Sequence, residues 1–127
     1  VQIQPVFLRQ VHGVQTIYLT AGLPDGHCAD ACITTAVGPV CTIMVADCLP
    51  ILIAHRELKI IGAAHAGWRG LAGQQSVGVV EQLWQAYCRL VEQQQAASHA
   101  AIAAARMSSG RLSRVICMPM TTFVASN

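Results

Sequence analysis

Three apolar runs standing almost end to end constrain this chain more than anything else in it. "CTIMVA" (41–46), "PILIAH" (50–55) and "KIIGAAHA" (59–66) are separated only by the "DCL" break at 47–49 and the polar turn "HREL". Runs this short, rich in Ile and Val, are the pattern of strands, and their continuity predicts cover on both faces. Residues 37–54 reach the length of a membrane span. Asp47 lies inside them, however, and Pro39 and Pro50 interrupt them. An unpaired carboxylate is costly in lipid, so buried strands are expected and a membrane segment is not.

Upstream, "PVFLRQVHG" (5–13) reads as a strand running into a turn at Gly13, and "QTIYLT" as a second strand. "AGLPDGHCAD" (21–30) carries the strongest loop signal, with Gly22, Pro24, Asp25 and Gly26. From Leu71 onward the period changes. Val77, Val80, Trp84, Tyr87 and Val91 recur at helical spacing, which predicts a helix beginning shortly after Gly70. The Ala- and Gln-rich "EQQQAASHAAIAAARM" sustains it as far as Ser108, Ser109 and Gly110. One more strand is expected around Val115–Met118. With no internal repeat and no linker, residues 1–127 are expected to form one α/β domain.

The core should be aliphatic, since hydrophobic residues make up 54% of the chain and aromatics only 5%. Lys59 is the single lysine and the formal net charge is +2. Nucleic-acid binding is therefore not expected, because phosphate neutralisation needs clustered cations. The opening "VQIQPVFLRQ" has no basic stretch ahead of an apolar one, so no secretory leader is expected. Cysteines 28, 32, 41, 48, 88 and 117 are accordingly read as reduced, in a cytoplasmic protein, some of them as small core residues.

Three segments bring a reactive side chain to a predicted strand end: "RQVHG" with His12, "VADCLP" with Asp47 and Cys48, and "AAHAGWRG" with His65. If these ends share one sheet edge, His12, Cys48 and His65 form a Zn²⁺ site with the fourth position open, the mark of a catalytic site. Taken singly, a lone Cys or His is more simply a core or surface residue; the repeated setting carries the reading. Asp47 either orients a ligand histidine, moves a proton, or bonds backbone N–H groups before Pro50. Gly67 is expected to allow a sharp turn after His65, and Gly70 to open the helix, whose free N–H groups attract anions. Arg69 offers a planar fork for phosphate or carboxylate. Trp68 either walls a pocket or packs in the core. "HCADAC" (His27, Cys28, Cys32) also has metal-binding spacing but lacks a second half, so it is read as a loop with incidental cysteines.

At these residues the sequence resembles a known family. "VFLRQVHG", "DACITT", "VADCLPIL" and "AAHAGWRGLAG" are similar, in order, to motifs of the YfiH-type laccase-domain family, also called multicopper polyphenol oxidoreductases or purine nucleoside phosphorylases. The likeness covers about residues 5–87. It implies a four-layer α/β sandwich of the cysteine-hydrolase type, here incomplete, with a divergent tail at 88–127. It also implies zinc ligands at His12, Cys48 and His65. Phosphorolysis of adenosine, inosine and methylthioadenosine, with deamination of adenosine, is what the resemblance implies for activity. Members of the family are about twice this long, as a truncated reading frame would explain.

The leading expectation is thus a zinc-dependent enzyme acting on a purine nucleoside and phosphate. Three alternatives stand beside it. Copper could replace zinc for phenol oxidation, although a four-copper centre needs many histidines and the chain has five. Cys48 could be a hydrolase nucleophile with His65 as its base. The chain could instead be an inactive fragment that only binds metal, or that pairs with another chain or itself, as a homo-oligomer, through exposed apolar surface.

Overall fold

The computed structural model describes residues 2–109. In chain order they form β1 (Gln4–Phe7), β2 (Thr16–Tyr18), β3 (Ala31–Thr34), β4 (Pro39–Thr42), β5 (Leu49–Ala54), β6 (Ile61–Ala66), α1 (Trp68–Ala72) and α2 (Val79–Ser109). The strand expected around Val115–Met118 lies outside the described residues.

Four strands make a mixed sheet in the order β2-β3-β6-β5, in which only β2 and β3 run parallel. β1 and β4 pair in parallel as a separate two-stranded sheet. Side-chain alternation along β3 and β6 explains the layering. Ala31, Ile33, Ala64 and Ala66 share one core cluster with Val79 and Leu83 of α2. Cys32 and Ala63, pointing the other way, join Val6 and Leu8 in a second cluster against which Cys41 packs. The larger sheet is therefore filled between a helix and the smaller sheet. Small residues at 31, 63, 64 and 66 let both layers approach it closely.

Several expectations change here. "CTIMVA" is not a strand: β4 ends at Thr42, and 43–48 form a loop that carries Asp47 and Cys48. Among the described residues β5 is not covered on both faces. It pairs only with β6 among the described residues, sets Ile51 and Ile53 against the α2 core, and leaves Leu52 75% exposed. Beside it, Ile3, Val37, Val40, Leu58, Ile60 and Ile61 line a cavity of about 420 Å³. An apolar run thus marked an edge strand with one open face. Conversely β3 is the most completely buried strand, yet four residues, Ala31–Thr34, between two Gly/Pro-containing stretches are too few to give a periodic signal.

The helical reading also divides in two. Gly70 lies inside α1 instead of before it, and the long helix starts at Val79. Between them Gln74 and Val77 exchange backbone hydrogen bonds around Gln75 and Ser76, both in left-handed conformation (φ 50° and 66°). This is a tight hairpin-like turn, so Val77 belongs to the turn and not to the helix. The Gly78 N–H donates to Glu81 Oε2 at 3.0 Å, satisfying one of the free donors where α2 begins.

Candidate metal centre

The His12, Cys48 and His65 side chains converge, with one potential ligand atom from each lying within 4.8 Å of the others. Among the described residues this is the group of His, Cys or carboxylate side chains placed to hold an ion. Strand pairing explains half of the convergence. β5 and β6 are antiparallel, with Leu49 opposite Ala66 and Pro50 opposite His65. Cys48, immediately before β5, therefore meets the end of β6. It precedes a strand instead of ending one, and antiparallel pairing is what brings it to His65.

His12 arrives by a different device. Asp30, completely buried just before β3, accepts the backbone N–H groups of His12 (2.9 Å), Val11 (3.1 Å) and Gly13 (2.8 Å). Three successive donors wrapped around one carboxylate form a concave nest. The nest holds His12 in the left-handed region at φ 59°, sparsely populated by residues other than glycine. Asp30 Oδ1 also lies 2.9 Å from His65 Nδ1. Since the carboxylate accepts, Nδ1 carries the proton and Nε2 keeps its lone pair for a ligand. The two imidazole rings meet edge to face, with centroids 4.8 Å apart.

Asp30 thus positions both histidines, one through its backbone and one through its ring. Burial pushes its carboxyl pKa up, but the hydrogen bonds from His65, Gly13, Val11 and His12 together outweigh burial and hold it below the ordinary 3.8. A negative charge beside two histidines and a thiol suits a cation. Asp47, by contrast, is exposed on the 43–48 loop, and the carboxylate orienting His65 is Asp30. Gln10 is the other residue the motifs concealed. Its amide donates to the Met44 carbonyl at 2.7 Å and accepts the Met44 N–H at 2.8 Å, tying the His12 loop to the loop that carries Cys48.

Gly67 has an ordinary φ of −75°, so it is not required for a sharp turn. It is required for space. A Cβ there would stand 2.8 Å from Cys48 Sγ and 3.0 Å from His12 Cδ2. Gly67→Ala should push these two side chains apart while leaving both present, lowering zinc affinity about 10–100-fold, as loss of ligand positioning does elsewhere. Competition against a chromogenic chelator measures this; unchanged affinity would contradict it.

Gly70 is buried within α1, where a Cβ would meet the Gly13 carbonyl at 3.0 Å, so it packs the helix against the His12 loop. Trp68 is 70% exposed, and the Arg69 guanidinium lies 4.6 Å from its ring centroid. Core packing is thereby removed as the role of Trp68. The pair stands at the surface directly beyond Gly67. His27, Cys28 and Cys32 form no such cluster: Cys28 is exposed and Cys32 is buried in β3.

The donor set fits a divalent ion. Donors on a tetrahedral zinc with bonds of about 2.0–2.3 Å stand roughly 3.3–3.7 Å apart. Closing from within 4.8 Å needs only small rotations, which exposed His12 can make. Two imidazoles and a thiolate leave a fourth position for a reactant.

Comparison with known proteins bears on what such a site serves. A family model described as multi-copper polyphenol oxidoreductase laccase matches residues 1–109. The chain belongs to this laccase family. The match continues along α2, past Tyr87. The chain is 44% identical over 79 residues to the purine nucleoside phosphorylase YfiH of Escherichia coli K12, covering 62% of this chain and 31% of that protein. It is 46% identical over 77 residues to a purine nucleoside phosphorylase of Deinococcus radiodurans, covering 60% and 29%. A crystal structure of the Neisseria meningitidis protein NMB0706 superimposes with a TM-score of 0.55 at 37% identity, covering 66% of this chain and 33% of that one. The mixed α/β fold is therefore shared with that structure. The aligned part spans about a third of each of these relatives. No helix among the described residues is long and apolar enough to cross a membrane.

Proposed function

We propose that this chain carries the metal centre of a zinc-dependent purine nucleoside phosphorylase that also deaminates adenosine, working in the cytoplasm. The observation that carries the reading is the convergence of His12, Cys48 and His65, with Asp30 holding His65 by Nδ1. Relatives named purine nucleoside phosphorylase support the substrate class. Zinc is favoured over copper by the donor set: thiolate and imidazole suit both, but a multicopper centre needs more histidines than one cluster of two provides.

Bound at these three side chains, zinc would supply Lewis acidity at the open position. The chain's own residues do the rest. Asp30 keeps the proton on His65 Nδ1, so Nε2 stays a donor to the cation. Arg69 presents a planar fork to phosphate, and Trp68, beside it and exposed, offers a flat face to the purine. Phosphate attacks the ribose C1′, the C1′–N bond breaks, and the purine leaves with a proton. The further layers of the four-layer sandwich belong, on this reading, to polypeptide of the longer relatives.

The test is release of hypoxanthine from inosine by the zinc-loaded protein, strictly dependent on phosphate. Arg69→Ala should raise the KM for phosphate about tenfold or more, the loss expected for a charged hydrogen bond of roughly 1.5–3 kcal/mol. No phosphorolysis and no deamination by correctly folded, zinc-loaded protein would defeat the proposal.

One observation favours a second reading. Asp30, His65 and Cys48 stand in the order carboxylate, imidazole, thiol, which suits a cysteine hydrolase. Metal content separates the two, because a metal-free protein alkylated selectively and rapidly at Cys48 would support the hydrolase.

A further inference from the structure

We propose that Cys32 and Cys41 are a site of reversible oxidation, closing to an intramolecular disulfide when a hydroperoxide reaches Cys41. Neither residue belongs to the metal centre. Cys32 lies in β3 of the larger sheet and Cys41 in β4 of the smaller one, so the bond would join two sheets that share no ladder. Cys41 packs against the core cluster that contains Cys32, and the two thiols are close enough to influence each other. Cys41 is also placed over β6, with Sγ 3.7 Å from the Ile61 carbonyl.

The pair is unequal in a way that assigns the roles. Cys32 is fully buried, whereas Cys41 is half-buried and reachable. The neighbouring Cys41 thiol, and then burial, push the Cys32 thiol up, and the same contact draws Cys41 down despite burial. A peroxide arriving from solvent therefore meets Cys41 first, and the Cys41 thiolate is the nucleophile. Its sulfur attacks the peroxide O–O bond, giving a sulfenic acid and releasing hydroxide (or alkoxide). The Cys32 sulfur then attacks the Cys41 sulfur, the S–O bond breaks, and the Cys32 proton leaves with the departing hydroxide as water. Two thiols are oxidised and one peroxide is reduced. Adding a dithiol reductant restores the pair.

The chain makes this directly testable. Cleavage before aspartate yields residues 30–46, which contain Cys32 and Cys41 and no other cysteine. Full-length protein is treated with a small excess of hydrogen peroxide, alkylated in denaturant, digested and weighed. The expected result is a 30–46 fragment lighter by two hydrogens and carrying no alkyl groups. Dithiothreitol before alkylation should return it to the doubly alkylated form. In Cys32→Ser, Cys41 should instead be trapped by a sulfenic-acid reagent. A wild-type fragment still doubly alkylated after peroxide has oxidised Cys28 or Cys48 would overturn the proposal, as would cross-linking of Cys41 to another cysteine.

Discussion

Cys48→Ala should purify without stoichiometric zinc and lose affinity for it by more than about 100-fold, beyond the 10–100-fold typical of losing an outer partner. Only two imidazoles would remain, and zinc sites of two neutral ligands hold the ion poorly because the thiolate supplies the compensating charge. The fold should survive. Cys48 is half-buried in the 43–48 loop and belongs to neither core cluster, so far-ultraviolet circular dichroism should be unchanged. Elemental analysis, with chelator competition on the same preparations, reads the outcome. Equimolar zinc retained as tightly as in the wild type would show that the sulfur is not a ligand.

Asp30→Asn should damage both the site and the fold. The carboxylate accepts four donors, and an amide has one oxygen and one NH₂ group. With the oxygen toward His12 and His65, the NH₂ faces the Val11 and Gly13 N–H groups, which then lose their acceptor in a buried place. The expected loss of stability is about 2–6 kcal/mol, from roughly 1–3 kcal/mol for each of the two buried donors left unpaired, measured by urea unfolding. Zinc affinity should fall as well, because both histidines lose their anchor.

The pH dependence separates this group from other sources of stability. The folded protein holds the Asp30 proton less readily than the unfolded chain does. Its contribution is therefore fully present above the unfolded pKa of about 3.9 and is lost as pH falls through the lower folded value. Wild-type stability should decline in that acidic window more steeply than that of Asp30→Asn. Parallel curves would mean that Asp30 is not held as a buried carboxylate.

The converging trio of His12, Cys48 and His65 was legible because each member interrupts an apolar run near glycine or proline, a place where neither core packing nor solvation explains it. The partners that aim the trio were not legible. Asp30 sits in "HCADAC", where loop residues surround it and local pattern argues only for a turn. Its role depends on three backbone donors from residues 11–13 and a ring from residue 65, contacts far away in sequence. Gln10 bonds a backbone 34 residues distant. Hydrophobic pattern carries no information about such pairings.

The inventory is set by local chemistry: aliphatic strands, a long alanine-rich helix, and a histidine, a cysteine and a second histidine at breaks in the apolar pattern. Side-chain transfer energy and helix propensity are local quantities, so they can be read in a line of letters. Tertiary structure decided that β5 runs antiparallel to β6, that one face of β5 is open among the described residues, and that Gly67 leaves room for Cys48 and His12. Those outcomes depend on strand register and on the burial of one carboxylate among distant donors, and neither exists until the chain has folded.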